Sequence, residues 1–568
     1  MSSNKVVIVG AGWNGLTVAK TSVFCLLQPQ ISVKVFTLGR YLQVDPTISL
    51  TVLEAERSLG GTWSADRVYP ELHTQAPYGA YESCDLSMTR PPNAKREPAD
   101  FIPSNRVHEY LQEFATKFNI ADKIRYNVSV KHVQRHEDGV RWTLTVLNER
   151  GEQETIVCDK LVISTGLTSL PTIPDIPSES FEPPTFHSRF LGARYEEMRS
   201  PEIKVVTVYG GGKSAYDAVH AATKAGKQVQ WVIRTSGAGM GAMATPEFGG
   251  SSISDIIFTP AMDYNYPHPL RDTWWDRFFH SGKNWFGYWL HWTISGLMSR
   301  VVTGKMGYDE NDAMRKLKPD VVDRVMYWHN GPLLAVPTMD ILDKVRRGDG
   351  ITIYRADITK LSGRHVHLAD QTTLTTDMLI YATGYSIHQP IFSEQDAYEL
   401  GLPVQISHIP SLTGNHDAQW PTQAMEEADK EPKKPTYTQY RLYRSILPFP
   451  LMKKRDRSLT FVGYLQGAAI CIIGDVSALW AVAWMTGKLD IERDMDEMEK
   501  ECDLLNAFIK RRYLNAGREI PYLPFEWMTI LNYMLEELEV SLPEAGALTP
   551  RYPIFYRGIV EKWLAVHS

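Results

Sequence analysis

Two glycine-rich turns carry the first chemical signal in this chain. The apolar run Val6-Val7-Ile8-Val9 leads into Gly10-Ala11-Gly12-Trp13-Asn14-Gly15, a G-x-G-x-x-G at the mouth of a helix-compatible stretch. Gly10 permits a tight turn, Gly12 lets the backbone approach a pyrophosphate, and Gly15 lets helix and strand pack closely. The helix N-terminus then presents unpaired N–H groups to phosphates. Val205-Val206-Thr207-Val208-Tyr209 and Gly210-Gly211-Gly212-Lys213-Ser214-Ala215 repeat the arrangement as G-x-G-x-x-A. The two copies differ where the following strand ends. Leu50-Thr51-Val52-Leu53 ends on Glu54, whose carboxylate suits ribose hydroxyls, whereas Val229 to Ile233 ends on Arg234, whose guanidinium suits a 2′-phosphate. Lys213, inside the second turn, adds positive charge. The expectation is an acidic first dinucleotide site and a basic second one. The second, built on Gly210, Gly212, Lys213, Ser214 and Arg234, should prefer NADPH to NADH.

The spacing within the first unit is irregular. Glu54 lies 39 positions beyond Gly15, and 20 once Ser22 to Arg40 are set aside, which is the separation this fold expects. Removing those residues also joins Ala19-Lys20-Thr21 to Tyr41-Leu42-Gln43 in one helical reading. Residues 22–40 therefore read as an insertion, or as a segment that entered the gene model in error, with no functional role.

Directly after the acidic strand end comes Gly60-Gly61-Thr62-Trp63. With Glu54, this resembles the FAD-binding signature of the flavin-containing and Baeyer–Villiger monooxygenases, the class B flavoprotein monooxygenases. The resemblance implies that Gly61, Thr62 and Trp63 pass close to the flavin ribityl chain and pyrophosphate, alongside Gly10, Gly12, Trp13, Asn14, Gly15 and Glu54. Tyr69-Pro70-Glu71-Leu72-His73-Thr74-Gln75 aligns with the family's Y-x-x-L-x-T-N, in which the Asn stands near the flavin and helps hold the oxygenated intermediate. Gln75 keeps the carboxamide with one more methylene, and it is the catalytic candidate, with Thr74 beside it as a binding residue. The family match further implies that Val130 meets the adenine of FAD through its backbone. Phe181 to Leu191 resembles the fingerprint F-x-G-x-x-x-H-x-x-x-(Y/W): Phe181 and His187 match, while Pro183 replaces the glycine and Leu191 the last aromatic. That departure weakens any subclass assignment, Baeyer–Villiger in particular. Ala382-Thr383-Gly384-Tyr385 resembles the A-T-G-Y strand that returns from the NADPH domain to the FAD domain. Leu459 to Gly467, with Gln466, resembles the segment that closes over the flavin.

What the resemblance implies is an FAD- and NADPH-dependent monooxygenase. NADPH reduces the flavin, O₂ adds at its C4a position, and the hydroperoxide delivers one oxygen atom to a small, apolar or aromatic organic substrate. The outcome would be N-, S- or C-oxygenation, with Baeyer–Villiger oxidation of a ketone as the rival. A dithiol-dependent reductase would need a C-x-x-C, which the five scattered cysteines do not form. A non-catalytic dinucleotide-binding redox sensor is the alternative of another class.

These motifs require an α/β chain with two Rossmann-like domains, the NADPH domain inserted in the FAD domain, and a helical C-terminal extension. The boundaries read as 1–195 and 356–490 for the FAD domain, 196–355 for the NADPH domain and 491–568 for the extension. Phe101 to Phe118 reads as an amphipathic scaffold helix on Val107, Tyr110, Leu111, Phe114 and Phe118. Within 237–345, the aromatic run from Trp274 to Trp292 reads as a core helix or a lid over an apolar substrate. An interfacial membrane helix is the other reading, and the lack of Lys and Arg from Asn284 to Met298 counts against an anionic surface. Thr413 to Thr438 is charged and aperiodic, hence a surface insertion.

At 568 residues the chain can hold several cores, and 43% hydrophobic with 22% charged residues is ordinary for a globular protein. A net charge of −6 gives no sign of nucleic-acid binding. No cysteine spacing suggests a metal site. The most apolar stretch, Leu459 to Trp484, is interrupted by Gln466 and Asp475, so a buried helix is favoured over a membrane span. A first strand at the N-terminus leaves no signal peptide in this reading. Reduced thiols suit the cytoplasm, with peripheral contact at an intracellular membrane left open.

Overall fold

The two apolar runs that lead into G-x-G turns, at Gly10 and Gly210, become the central strands of two parallel sheets. A computed structural model describes residues 4–26, 48–90, 100–281, 283–320, 334–336, 339–408, 437–513 and 520–567. The first part of the chain supplies β1 (Asn4–Val9), α1 (Trp13–Leu26), β2 (Ile48–Leu53), β3 (His73–Pro77), α2 (Ser104–Lys117), β4 (Ile124–Arg125) and β5 (Lys160–Ile163). The middle supplies β6 (Thr185–His187), β7 (Val205–Tyr209), α3 (Lys213–Lys224), β8 (Gln228–Ile233), β9 (Met243–Ala244), α4 (Trp274–Phe279) and α5 (Trp285–Gly304). After these come β10 (Leu334–Ala335), β11 (Ile351–Arg355), β12 (Met378–Tyr381), β13 (Leu459–Phe461) and the C-terminal helices α6 (Ile470–Met485), α7 (Met495–Arg512), α8 (Trp527–Glu537) and α9 (Ile559–His567).

The first sheet has the order β13–β5–β1–β2–β4 and the second β6–β12–β7–β8–β11, with every pairing parallel. In both, the strand before the glycine turn lies at the centre. The next strand packs on one side and a much later strand on the other, which opens a crevice at the carboxyl end of the central strand. All five strands of the second sheet fall between β5 and β13 in sequence. The fold is therefore two dinucleotide-binding folds, one inserted in the other, followed by helices. Parallel strands covered on both faces need continuous apolar runs, and Val7, Ile8, Val206 and Val208 are fully buried.

The apolar stretch from Leu459 to Trp484 divides into β13 and α6, and α6 is buried from Cys471 to Met485. It packs lengthwise against α1. The suspect segment begins inside α1. α1 does not leave its path at Thr21 but continues through Leu26, with Ser22 buried. Residues 22–26 belong to the helix; residues 27–40, and Tyr41 to Gln43, lie outside the described residues. Of the readings of the aromatic run, the core helix is corrected: Trp274, Trp275, Trp285, Phe286 and Trp289 are exposed. The five cysteines are free.

One buried ionic cluster ties α1 to α6. Lys20 Nζ donates to Asp85 at 2.6 Å and to Asp475 of α6 at 3.2 Å, and its side chain is 1% exposed. Burial alone would lower the ammonium pKa, but Asp475 and Asp85 outweigh it and hold it above its ordinary value. Asp475 also accepts from the Cys84 N–H at 2.8 Å and from the Ser83 hydroxyl at 3.1 Å. Removing the cation would leave the buried carboxylate of Asp475 without its ammonium partner and close to that of the half-buried Asp85. Lys20→Ala should therefore cost about 3–5 kcal/mol in a chemical denaturation curve. Lys20→Ala combined with Asp475→Asn should cost less than the two single changes summed. An unchanged midpoint for Lys20→Ala would contradict this role.

Candidate functional site

The first glycine turn is fixed by backbone contacts that admit no side chain. Gly10 sits at φ +103°, and its N–H donates to the Leu53 carbonyl at 2.8 Å. A Cβ on Gly15 would stand 1.9 Å from the Gly10 carbonyl oxygen, so α1 can leave the turn this closely only with glycine there. The second glycine pair lies against this turn: the Gly60 N–H donates to the Ala11 carbonyl at 2.9 Å, and Gly12 pairs with Gly60 in a short parallel bridge. Gly12 differs from its neighbours, because a Cβ there would meet only Gly61, at an ordinary 3.6 Å.

Glu54 closes the other side. Its carboxylate accepts from the Ala11 N–H at 2.7 Å and from the Glu56 N–H at 2.9 Å. Burial pushes its pKa upward, and the Glu56 and Ala11 N–H groups pull in the opposite direction. The aromatic wall follows from α1 and α2: Trp13 stacks on Tyr110 at 5.7 Å between ring centres and meets Tyr81 edge-on at 5.1 Å. The Trp63 indole N–H donates to the Tyr81 hydroxyl at 2.9 Å. Asn14 fits because Gly463 and Gly474 are glycines; a Cβ on either would fall within 2.6 Å of its carboxamide.

These elements enclose an elongated cavity, about 1190 Å³ of non-atom space with its open mouth included. Gly10, Gly12, Trp13, Asn14, Glu54, Gly61, Thr62, Trp63, Val130 and Gln466, all singled out in the sequence, line it. Gln466 is held by the C-terminal extension, its N–H donating to the Pro521 carbonyl and its carbonyl accepting from the Leu523 N–H, both at 2.8 Å. Two polar atoms in the wall, the Trp13 indole nitrogen and the Ser164 hydroxyl, are buried without a protein partner. A phosphate- and hydroxyl-rich ligand would satisfy such atoms, which otherwise carry a desolvation cost. The wall therefore fits a dinucleotide.

The cavity also contains residues that sequence reasoning missed. Glu56 bridges two lining arginines, meeting Arg67 Nε and Arg189 Nη2 at 2.9 Å each. Burial would raise the Glu56 pKa, but Arg67, Ser64 and Arg189 hold it below the ordinary carboxylate value. Arg189 stands two residues past His187 of the degenerate fingerprint, the one signal that could have marked it.

At the second turn, Gly210 sits at φ +147°, and a Cβ would lie 2.1 Å from the Ala382 carbonyl oxygen. The space over Gly212 is open, and Ser214 lies in the first turn of α3. Arg234 Nη2 donates to the Thr383 carbonyl at 3.3 Å, which brings the end of β8 to the Ala382-Thr383-Gly384 turn. Gly384 adopts φ +86°, and its carbonyl accepts from the Thr172 N–H. Lys213 is not a free cation: Nζ meets both carboxylate oxygens of Asp217 at 2.6 Å. Asp357, another residue not foreseen, accepts from Thr235 Oγ1 at 2.6 Å and from the Ser236 N–H at 3.1 Å.

Thr74 and Gln75 do not line the first cavity. Thr74 is buried in the β3 pairing, its hydroxyl donating to the Ala76 carbonyl and accepting from the Ile102 N–H. Gln75 Oε1 accepts from the Ala335 N–H of β10 at 3.0 Å, and the His73 carbonyl lies 3.5 Å from Lys213 Nζ. β3 thus leaves the first fold and touches the second.

The chain is 32% identical to the FAD-dependent monooxygenase resA of Aspergillus sclerotiorum over 99% of its own length and 98% of the relative's. The chain belongs to the FAD-dependent monooxygenases. A family model described as L-lysine 6-monooxygenase/L-ornithine 5-monooxygenase matches residues 98–266 of this monooxygenase. Among solved structures, it resembles OTEMO in complex with FAD and NADP, with a TM-score of 0.58 and 16% identity over 94% of this chain and 97% of that one. It also resembles cyclohexanone monooxygenase from Rhodococcus sp. Phi1 bound to NADP⁺, with a TM-score of 0.56 and 14% identity over 95% and 98%. At these identities the likeness concerns the fold. Family membership makes the chain an oxidoreductase, and the redox-sensor alternative falls.

The contrast between Gly12 and Gly15 generates a prediction. Gly15→Ala should prevent folding or cost several kcal/mol, because the clash is backbone on backbone. Gly12→Ala should leave the melting of the apoprotein within about 1 kcal/mol of wild type. It should nevertheless raise the FAD dissociation constant by at least about tenfold, through the methyl placed at the cavity wall. Full flavin retention by Gly12→Ala would remove Gly12 from the site.

Proposed function

We propose that this monooxygenase takes its electrons from NADPH and inserts one oxygen atom of O₂ into a small, apolar or aromatic organic substrate by N-, S- or C-oxygenation. The observation that carries the reading is the contrast between the two turns. The first is closed by a carboxylate, Glu54, and the second ends at a guanidinium, Arg234. FAD, when bound and reduced, supplies the activation of O₂. The protein does the rest. Gly10, Gly12, Gly15 and the N-terminus of α1 would cradle the pyrophosphate, Glu54 the ribose, and the Val130 backbone the adenine. Gly61, Thr62 and Trp63 would follow the ribityl chain, and Gln466 would close the segment over the flavin. Trp13, Trp63 and Tyr81 form a wall that excludes water.

Gly210, Gly212, Lys213, Ser214, Thr383 and Gly384 would hold NADPH, with the Thr383 carbonyl fixing the guanidinium of Arg234. Gln75, carried on the strand that touches both folds, is the candidate for steadying the oxygenated state: Ala335 fixes its carboxamide oxygen, and its NH₂ is the donating end. Baeyer–Villiger chemistry is the second reading. It would use a cation to hold an oxyanion, and Arg67 and Arg189, which line the cavity, share the single carboxylate of Glu56 and so keep one net positive charge, which leaves the ketone oxidation as the alternative.

Arg234→Ala should raise KM for NADPH by about ten- to a hundredfold, since a charge-assisted contact to phosphate contributes about 1.5–3 kcal/mol. KM for NADH should barely move. Steady-state kinetics with both nucleotides decides it, and equal losses for the two would defeat the assignment.

A further inference from the structure

The helix α5 is built inside out. Its buried residues are Gly287, His291, Ser295, Ser299, Val302 and Thr303, of which only Val302 is apolar. Its outward face carries Trp285, Phe286, Trp289 and Leu297, and Trp285 is 77% and Leu297 63% exposed. The preceding α4 adds Trp274 at 62% exposed. A surface helix of a water-soluble domain shows the opposite arrangement, apolar inward and polar outward. The packing is not loose: a Cβ on Gly287 would stand 2.0 Å from the Phe278 carbonyl oxygen, so α5 is locked onto α4 with this face outward.

The exposed charges within α4, α5 and the turn between them are cationic, and one of them, Arg277, is paired with the exposed Asp272 just before α4. Between Thr273 and Tyr308 the only acid is Asp276, which is buried against Arg271, while the exposed charges are Arg277, Lys283, Arg300 and Lys305. The chain as a whole carries −6, so this cationic rim runs against its overall charge. Tryptophan in a neutral centre with cations at the ends is the composition that suits a lipid headgroup boundary, where indoles sit at the interface and Lys and Arg reach phosphates. A protein partner would more often meet a rim of mixed sign. No helix among the described residues is long and apolar enough to cross a membrane, so the geometry is that of lying on a surface.

We propose that the outer face of α4 and α5 binds a phospholipid bilayer at its interface, with Trp274, Trp285, Phe286, Trp289 and Leu297 entering the headgroup region. The inner side of α5 packs on β9, β9 pairs with β10, and the Ala335 N–H of β10 holds Gln75. A bilayer-dissolved substrate would thus be received one strand pair away from the candidate catalytic residue. Only that consequence rests on the monooxygenase reading; the lipid surface does not.

The test uses the full-length FAD-loaded protein with vesicles of phosphatidylcholine, alone and with a minority of phosphatidylserine, and with brominated phosphatidylcholine as a fluorescence quencher. Wild type should co-sediment, more with phosphatidylserine present, and its tryptophan emission should be quenched. The variant Trp285→Ser, Trp289→Ser, Leu297→Ser changes only exposed positions. It should keep its flavin content and NADPH oxidation while its partition to vesicles falls by at least about tenfold. Wild type that stays in the supernatant with both compositions overturns the proposal, as does a variant that binds as well as wild type. A dimer in the absence of vesicles that the variant converts to a monomer, without vesicle binding by wild type, would assign the face to a second copy instead. Loss of NADPH oxidation with vesicle binding intact would count against the monooxygenase reading and leave the lipid surface standing.

Discussion

Much of this fold depends on backbone touching backbone at its first turn. The Gly10 carbonyl lies where a Gly15 methyl would be, and the Ala11 carbonyl accepts the Gly60 N–H. With no side chains between them, β1, α1 and the Gly60-Gly61 turn converge on one point, and Gly10, Gly12 and Gly61 line the same cavity. Glu54 then bonds to Ala11 from the next strand end, so the acid is placed by the turn it serves. The rigidity comes from behind, where α6 is buried along its length against α1 and Lys20 joins the two helices through Asp475.

The second fold repeats the geometry with a different chemical ending. Gly210 closes against Ala382 as Gly10 closes against Ser164, but β8 delivers Arg234 where β2 delivers Glu54. Neither Lys213 nor Arg234 stands alone: Asp217 holds one, the Thr383 carbonyl the other, and Asp357 gathers Thr235 and Ser236 alongside. The two folds communicate through β3, whose His73 and Gln75 reach Lys213 and Ala335. Arg189, just past β6 of the second sheet, makes a further contact between the folds through Glu56.

Local constraints were legible in the sequence, and long-range ones were not. Gly10, Gly12, Gly15 and Glu54 could be read because their roles depend on spacing within one strand–turn–helix unit. The buried character of α6 could be read because Asp475 and Gln466 break an otherwise apolar run. The continuation of α1 past Thr21 could not, since the helices α1 packs on, α6 and α9, lie more than four hundred residues away. The Glu56–Arg67–Arg189 bridge and the placement of Asp357 were hidden for the same reason. Composition suggested a buried role for the Trp274 to Trp292 run, but the small polar residues at Gly287, His291, Ser295 and Ser299 take the inner face and turn the tryptophans out.

The central claim is that the two turns hold a flavin and a nicotinamide nucleotide that together activate O₂. The direct measurement is turnover of the purified protein under ¹⁸O₂ with candidate amines, sulfides, indoles and ketones, with the flavin content and NADPH consumed followed alongside. A yellow protein carrying FAD, consuming NADPH in step with product and placing one ¹⁸O atom in that product, is the predicted result. A colourless protein, or a product whose oxygen comes from water, would contradict it.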